Sequence, residues 1–200
     1  MRIISGYARG LKLKCPHGYD VRPTTDRVKE SMFSILGDVS GQRVVDLFAG
    51  SGALGLEVLS RGAAEVVFVE KKREPMRYLE FNLSRVEKCL PPDVQSETRI
   101  IKADVHRVPD VLSIHRHNVD LIFADPPYVK TSSFGVSATD IVKSDDFRDW
   151  AGNAILILEH PVAASLVPDG ENPWRILRQR QFNNTCITFL QLKSESRVNQ

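Results

Sequence analysis

From residue 43 onward the chain alternates between two hydrophobic rhythms. Short, nearly continuous Val/Ile/Leu runs occupy residues 44–48, 66–69, 99–103, 119–124 and 154–159. The first four are each followed by a stretch with apolar residues three and four apart. The cleanest of these begins near Arg73 and sets Met76, Leu79, Leu83, Val86 and Leu90 on one face, the spacing of an amphipathic helix. Further helices are predicted from the loop after residue 48 to about Arg61, over 105–114 and, less regularly, over 136–150. Runs this continuous are strands buried on both faces, the pattern of a parallel sheet covered by helices on each side. Two later runs, 174–182 and 186–192, are split by Asn183-Asn184, and asparagine tolerates φ > 0 in a tight turn. The predicted fold is α/β: a Rossmann-like, doubly wound, mostly parallel seven-stranded sheet ending in an antiparallel hairpin.

Ahead of the alternation lies a small extension in which Ile3-Ile4 and Leu11-Lys12-Leu13 predict a hairpin. Thr24-Thr25-Asp26 offers N-cap chemistry for a helix with Val28, Met32, Ile35 and Leu36 on its apolar face, ended by Gly37 and Gly41. The chain thus divides into a basic arm, 1–23, and a main domain, 24–200. Charge supports the division. The whole chain of 200 residues is +2, but residues 1–30 hold seven Lys/Arg against three acids, so the arm region is +4 and the remainder −2. Such an arm suits an anionic partner, nucleic acid first, with Arg2, Arg9, Arg22 and Arg27 as candidate contacts.

Composition excludes several classes. Apolar residues at 42% and charged ones at 26% are ordinary globular usage, not disorder. No apolar stretch approaches the 18 or so residues of a membrane span. The first ten residues lack the apolar core of a secretory signal, so a cytoplasmic protein is expected; a monomer is expected as well. Cys15, Cys89 and Cys186 are an odd count without CxxC spacing, which argues against disulfides and zinc; Cys89 and Cys186 read as buried thiols. His115-x-His117 has no further ligand pair and reads as a solvated loop, so no metal is expected. Lys71-Lys72-Arg73 reads as a solvated run beside a helix, near the crevice with RNA contact as the alternative, and Glu159-His160-Pro161 as structural, with reach to the crevice as the alternative.

Candidate chemistry begins at D-L-F-A-G-S-G-A-L-G, residues 46–55. Gly50, Gly52 and Gly55 stand in GxGxxG spacing directly after a strand and before a helix, and Glu70 follows Gly50 by 20 residues at the end of the next strand. Those are the elements of a nucleoside-cofactor fingerprint. Asp46, at the strand's end, would repel a pyrophosphate and attract the cationic sulfonium and ammonium groups of S-adenosylmethionine (SAM). Glu70 can accept from both ribose hydroxyls. Asp104, just past the third strand, can meet the adenine edge or cap the helix that follows, and the two duties are compatible. Asp46, Phe48, Gly50, Ser51, Gly52, Glu70 and Asp104 are the candidate cofactor residues.

Asp125-Pro126-Pro127-Tyr128 follows the fourth strand, at the sheet edge where open α/β folds bind ligands. Two prolines fix the turn and remove two N–H donors. The Asp125 side chain and the Pro126 carbonyl then form two converging acceptors, suited to the two hydrogens of an exocyclic amine, while Tyr128 offers a face for a stacked base. Holding both hydrogens favours a tetrahedral nitrogen whose lone pair points at an electrophilic methyl.

With the run from Asp46 to Ala63, the DPPY tetrad, and the upstream R-I-I-S-G (2–6) and V-R-P-T-T-D-R-V-K-E (21–30) segments, the chain resembles the RsmD family from residue 2 to about 160. The resemblance implies a class I SAM-dependent methyltransferase acting on the exocyclic N2 of a guanine, guanine 966, in 16S ribosomal RNA on an assembling small subunit. It places Asp46, Gly50, Gly52, Glu70 and Asp104 at SAM, residues 125–128 at the amine, and Arg22, Arg27 and the arm at RNA. The family's Tyr-Gly pair in the last hairpin is replaced here by Phe182-Asn183-Asn184. DPPY also serves adenine-N6 methylation of DNA, against which stand the VRPTTDR segment and the absence of a target-recognition domain. An NAD-dependent oxidoreductase is disfavoured by Asp46, and a non-catalytic RNA-binding module with a vestigial cofactor site by the intact Asp125 and Glu70.

Overall fold

The computed structural model describes residues 1–16, 26–126, 137–164, 166 and 173–193. Its centre is a sheet of seven strands, β1 (Arg43–Asp46), β2 (Glu65–Glu70), β3 (Glu97–Lys102), β4 (Leu121–Ala124), β5 (Ile155–Pro161), β6 (Trp174–Phe182) and β7 (Thr185–Leu192), in the order β3-β2-β1-β4-β5-β7-β6. Strands β1 to β5 run parallel, and β7 is antiparallel to both its neighbours. The winding direction reverses between β1 and β4, which opens a crevice at the carboxyl ends of those two strands. This is the doubly wound, mostly parallel sheet with a terminal antiparallel hairpin expected from the sequence.

Alternate strand residues enter two hydrophobic layers, as the two-residue period of a strand requires. Val44, Phe68, Phe123, Ile157 and Phe189 face one layer, closed by α1 (Asp26–Leu36), α2 (Gly55–Ser60), α3 (Arg73–Glu87) and part of residues 1–13. Val45, Val67, Ile122, Leu156 and Leu190 face the other, closed by α4 (Val108–Val111), α5 (Ala138–Lys143) and α6 (Asp145–Ala151). Burying such a side chain fully contributes roughly 1.5–3 kcal/mol, and β4 is buried at all four positions.

Several elements differ from their sequence expectation. The helix expected over 105–114 is a 3₁₀ turn, Val105–Arg107, then α4, then a second 3₁₀ turn, Ser113–His115. Pro109 has no N–H to donate and fits only a first turn, so an α-helix cannot run through it from residue 105. The expected helix 136–150 is split into α5 and α6 at Ser144, whose extended backbone ends α5 and whose hydroxyl accepts from Phe147 N to cap α6. The first strand ends at Asp46, two residues early, because Leu47 and Phe48 already belong to the turn. The N-terminal hairpin is reduced to one antiparallel bridge, Arg2 with Lys12. On α1 the buried residues are Lys29, Met32 and Phe33, with Val28, Ile35 and Leu36 only partly buried. Cys89 is exposed, beyond the end of α3, and His115 is buried. The terminal hairpin forms as expected, with Asn183 at φ 53°. The Thr24-Thr25 capping residues lie outside the described residues.

Candidate active site

The glycine loop is tethered to both neighbouring strands. Leu47 N donates to Phe123 O of β4 (2.9 Å) and Ala49 N to Val69 O of β2 (3.0 Å), and Gly52 N turns back to Ala49 O (2.7 Å). Gly52 has φ +93°, and a Cβ there would lie 2.6 Å from a Leu79 methyl. At Gly55 a Cβ would lie 2.3 Å from the Phe68 ring, so the third glycine lets α2 sit directly on β2. Gly50 is different: its nearest neighbour to a Cβ would be Phe48 O at 3.9 Å. The space above the loop at Gly50 is therefore open.

Two carboxylates satisfy the loop's amides. Asp46 is 2% exposed, and its Oδ2 accepts from Gly55 N at 2.9 Å. This gives α2, which has no side-chain cap of its own, an acceptor for an orphan first-turn N–H. Burial pushes the Asp46 carboxyl up to about 7, the Glu70 charge adding to the rise while the Gly55 and Phe48 amides oppose it. Asp46 is therefore a buried brace for the loop and α2, with a carboxyl that is easier to protonate than an exposed one. Glu70 closes the other side: Oε2 accepts from Gly50 N (2.9 Å) and Oε1 from Lys72 N (2.6 Å). A carboxylate has about four lone-pair directions, so Glu70 retains acceptor capacity toward a ligand in the crevice.

Asp104 serves two partners. Its Oδ1 accepts from His106 N, capping the 3₁₀ turn, and its Oδ2 pairs with Lys71 Nζ at 2.8 Å. The Lys71 ammonium, followed by the His106 amide, holds the Asp104 carboxyl below the usual range. Lys71 is thus a largely exposed charge that pairs across the crevice rim. Asp125 and Pro126 follow β4 directly, Asp125 partly buried and Pro126 buried. The register pairs Asp46 with Phe123, which brings the start of the glycine loop and Asp125 to the same sheet edge. Phe48 and Ser51 lie in the loop, each partly buried. Pro127, Tyr128 and Arg22 lie outside the described residues. Arg2, Arg9 and Arg27 are on the surface, Arg2 paired with Asp26 at 2.8 Å.

A polar network not foreseen from the sequence joins the arm to this site. Lys29 and Glu57 are each 0% exposed and paired at 3.1 Å. Lys29 Nζ also donates to Arg2 O (2.8 Å). Glu57 accepts from Ile4 N, Ser5 N and Arg61 Nε at 2.8 to 3.0 Å. Asn82, fully buried, accepts from Lys14 N and donates to both Lys14 O and Ser51 O, so a single amide links the arm to the glycine loop. The available signal was a polar residue inside an apolar stripe: Asn82 lies between Leu79 and Leu83, and Glu57 within L-G-L-E-V-L.

Comparison with known proteins places the chain. Residues 1–191 match the family described as conserved hypothetical protein 95. Ribosomal RNA small subunit methyltransferase D of Escherichia coli K12 is 34% identical over 196 residues, spanning 98% of this chain and 91% of the relative. The chain belongs to the RsmD family. The Bacillus subtilis protein YlbH is 38% identical over 161 residues, 80% of this chain and 82% of its own. Among solved structures, Escherichia coli yhhF superposes with a TM-score of 0.75 at 28% identity, covering 98% of this chain and 99% of that one. A hypothetical protein of Thermus thermophilus gives 0.69 at 26%, with 96% and 99% covered. In this RsmD-family chain the glycine loop and Asp125-Pro126 lie at one sheet edge. Among the described residues no group of three potential metal ligands gathers, and no helix is long and apolar enough to cross a membrane.

Proposed function

We propose that this RsmD-family chain is a cytoplasmic enzyme that transfers the methyl group of S-adenosylmethionine to the exocyclic N2 amine of a guanine in small-subunit ribosomal RNA, guanine 966 by the family resemblance. SAM-dependent methylation of ribosomal RNA is the activity that goes with the family. The finer assignment to a guanine N2 rests on the two-acceptor turn. The observation that carries the reading is the β1–β4 register, which sets the glycine loop and Asp125-Pro126 on one edge.

The residues present fit the cofactor. Gly50 leaves the cradle open, Glu70 retains acceptor capacity for ribose hydroxyls, and Asp104 stands at the adenine side. Lys71, at this rim, is paired with Asp104 at 2.8 Å. When bound, SAM supplies an activated methyl on a sulfonium. Asp125 and the Pro126 carbonyl hold the two hydrogens of the amine and direct its lone pair into the crevice. As positive charge develops on nitrogen, the same two acceptors stabilise it, and Asp125 can take the proton released. The base must leave its stack to reach them, and Tyr128 gives it a face to lie on.

Asp125→Ala is expected to abolish transfer to small-subunit ribosomal RNA, with SAM binding by calorimetry within a few-fold of wild type. Normal turnover by that variant would overturn the two-acceptor mechanism. Nucleoside digests of ribosomal RNA from cells with and without the protein test the target: loss of N2-methylguanine is expected, and an unchanged digest would refute it.

A further inference from the structure

The outer edge of the sheet carries a second concentration of charge. Residues 173–193 hold Arg175, Arg178, Arg180 and Lys193 and no Asp or Glu. All of residues 175–181 in β6 are exposed, so neither face of this strand is covered there. The register pairs Arg175 with Gln191, Arg178 with Phe189 and Arg180 with Ile187, with a bulge between Ile176 and Arg178. Directly paired residues share a face, and Gln191, Phe189 and Ile187 are alternate residues of β7. All three arginines therefore stand on one face, one every two β7 residues, a pitch of about 7 Å.

The bulge at Leu177 is what makes the row. Arg175 and Arg178 are three residues apart and would otherwise point to opposite faces. The same extra residue leaves Trp174 on the other face, buried, with Nε1 donating to Val142 O at 2.8 Å. Ile187 and Phe189 belong to the layer closed by α1 and residues of the arm, so the arginine row and the basic arm share one side of the sheet.

Protection of an edge from strand pairing does not account for this. The opposite edge, β3, is protected with mixed charges, Arg99 pairing with Glu97 and Glu65. Among the described residues none of the three β6 arginines has an ion pair, and Arg175 has only the Gln191 side chain at 3.2 Å. Guanidinium groups recognise phosphate bidentately, and a regular pitch of about 7 Å is close to the spacing of phosphates along an extended strand. Arg180 lies nearest the end of the sheet that carries the crevice, since β6 ends where β7 begins, opposite the end of β5. Three strand spacings, about 14 Å, separate β6 from β4.

We propose that Arg175, Arg178 and Arg180 form a docking row for the phosphate backbone of the RNA strand flanking the target nucleotide, across the crevice from the arm. This deepens the ribosomal RNA reading and rests on it. The test is equilibrium binding of an in vitro 16S ribosomal RNA transcript over a salt series, for wild type, the R175Q/R178Q/R180Q variant and the corresponding triple lysine variant. SAM affinity and the urea midpoint report that the fold is intact. Losing three contacts, each contributing about 0.7 to the single-strand salt slope, lowers that slope by about 2 and the affinity by roughly 50-fold at 0.15 M salt. The lysine variant is expected to keep the slope with weaker binding. A glutamine variant with the wild-type slope overturns the row while leaving the methyltransferase reading standing. Unchanged affinity for the transcript, with lost affinity for the small ribosomal subunit, also overturns it and assigns the row to a protein component. A wild-type protein with no salt-dependent affinity for either the transcript or the assembling small subunit overturns the ribosomal RNA reading itself.

Discussion

Lys29→Met tests whether the buried ion pair is what fixes the arm. Lys29 is 0% exposed and donates to Glu57, to Arg2 O and, at 3.5 Å, to Ala53 O. Methionine matches its length but removes the charge and every donor. Glu57 then keeps Arg61 at 2.9 Å and the Ile4 and Ser5 amides, but loses its only fully buried counter-charge among the described residues. Breaking a buried pair from one side costs about 3–5 kcal/mol. The orphaned Arg2 carbonyl adds to that, and the remaining Arg61 pulls the sum back toward the lower figure. For a chain of this size each kcal/mol moves the midpoint by roughly 2–4 °C, so a fall of around 10 °C is expected. Urea unfolding of Lys29→Met, Glu57→Gln and the double variant forms a cycle, and the coupling energy should exceed about 1.5 kcal/mol. RNA affinity should fall as well, because Arg2 and its neighbours lose their seat. A single-variant loss below about 1 kcal/mol, or an additive cycle, would refute the claim that this pair anchors the arm.

Asp46→Asn should change how stability depends on pH. The folded carboxyl titrates near 7 and the unfolded one near 3.8, so the wild type binds an extra proton when folded and loses stability as pH rises between those values. Between pH 5 and 8 the asparagine variant should gain about 3 kcal/mol on wild type, at 1.36 kcal/mol per pH unit up to 7; parallel pH curves would show that burial does not raise this group. Asn82→Ala removes the partner of Lys14 N, Lys14 O and Ser51 O, and SAM affinity measured by calorimetry should fall about tenfold, equal to 1.4 kcal/mol. Affinity within twofold of wild type would mean the loop does not depend on that amide.

What was legible in the sequence was what depends on local periodicity. Strand runs such as Ile155–Pro161, the α3 stripe from Met76 to Val86 and the Asn183 turn are encoded within a few residues of themselves, and they formed, although Leu90 lies beyond the end of α3. The glycine loop was legible because its spacing, strand and helix are contiguous. Partners far apart in sequence were not. Lys29 and Glu57 are separated by 28 residues and Lys14 and Asn82 by 68, and nothing in either segment states which residue the other will meet. The burial of Asp46 was hidden for a related reason: the position of a carboxylate is visible in sequence, but how far it is buried is set by packing. The β6 bulge was hidden because Trp174, Arg178 and Arg180 follow a simple even-numbered alternation, which the inserted Leu177 breaks only in three dimensions.

The arm is short of apolar residues, with Ile3, Ala8 and Leu13 buried, and apolar burial alone is non-directional. It could hold the arm against the domain but could not choose its register. The polar anchors do choose. Glu57 receives the consecutive Ile4 and Ser5 amides, and Ser60 receives Ala8 N on its hydroxyl and Tyr7 N on its carbonyl while donating to Ser5 O. Gly6 makes this approach possible, since a Cβ there would lie 1.8 Å from Ser60 O. A shift of one residue would leave buried donors unmatched, at about 1–3 kcal/mol each. All of these acceptors lie on α2, whose first amide is held by Asp46 beneath the glycine loop. One helix therefore carries both acceptors for the arm's amides and the first amide that Asp46 holds beneath the loop, so the seat of the arm and the base of the glycine loop are built on a shared element.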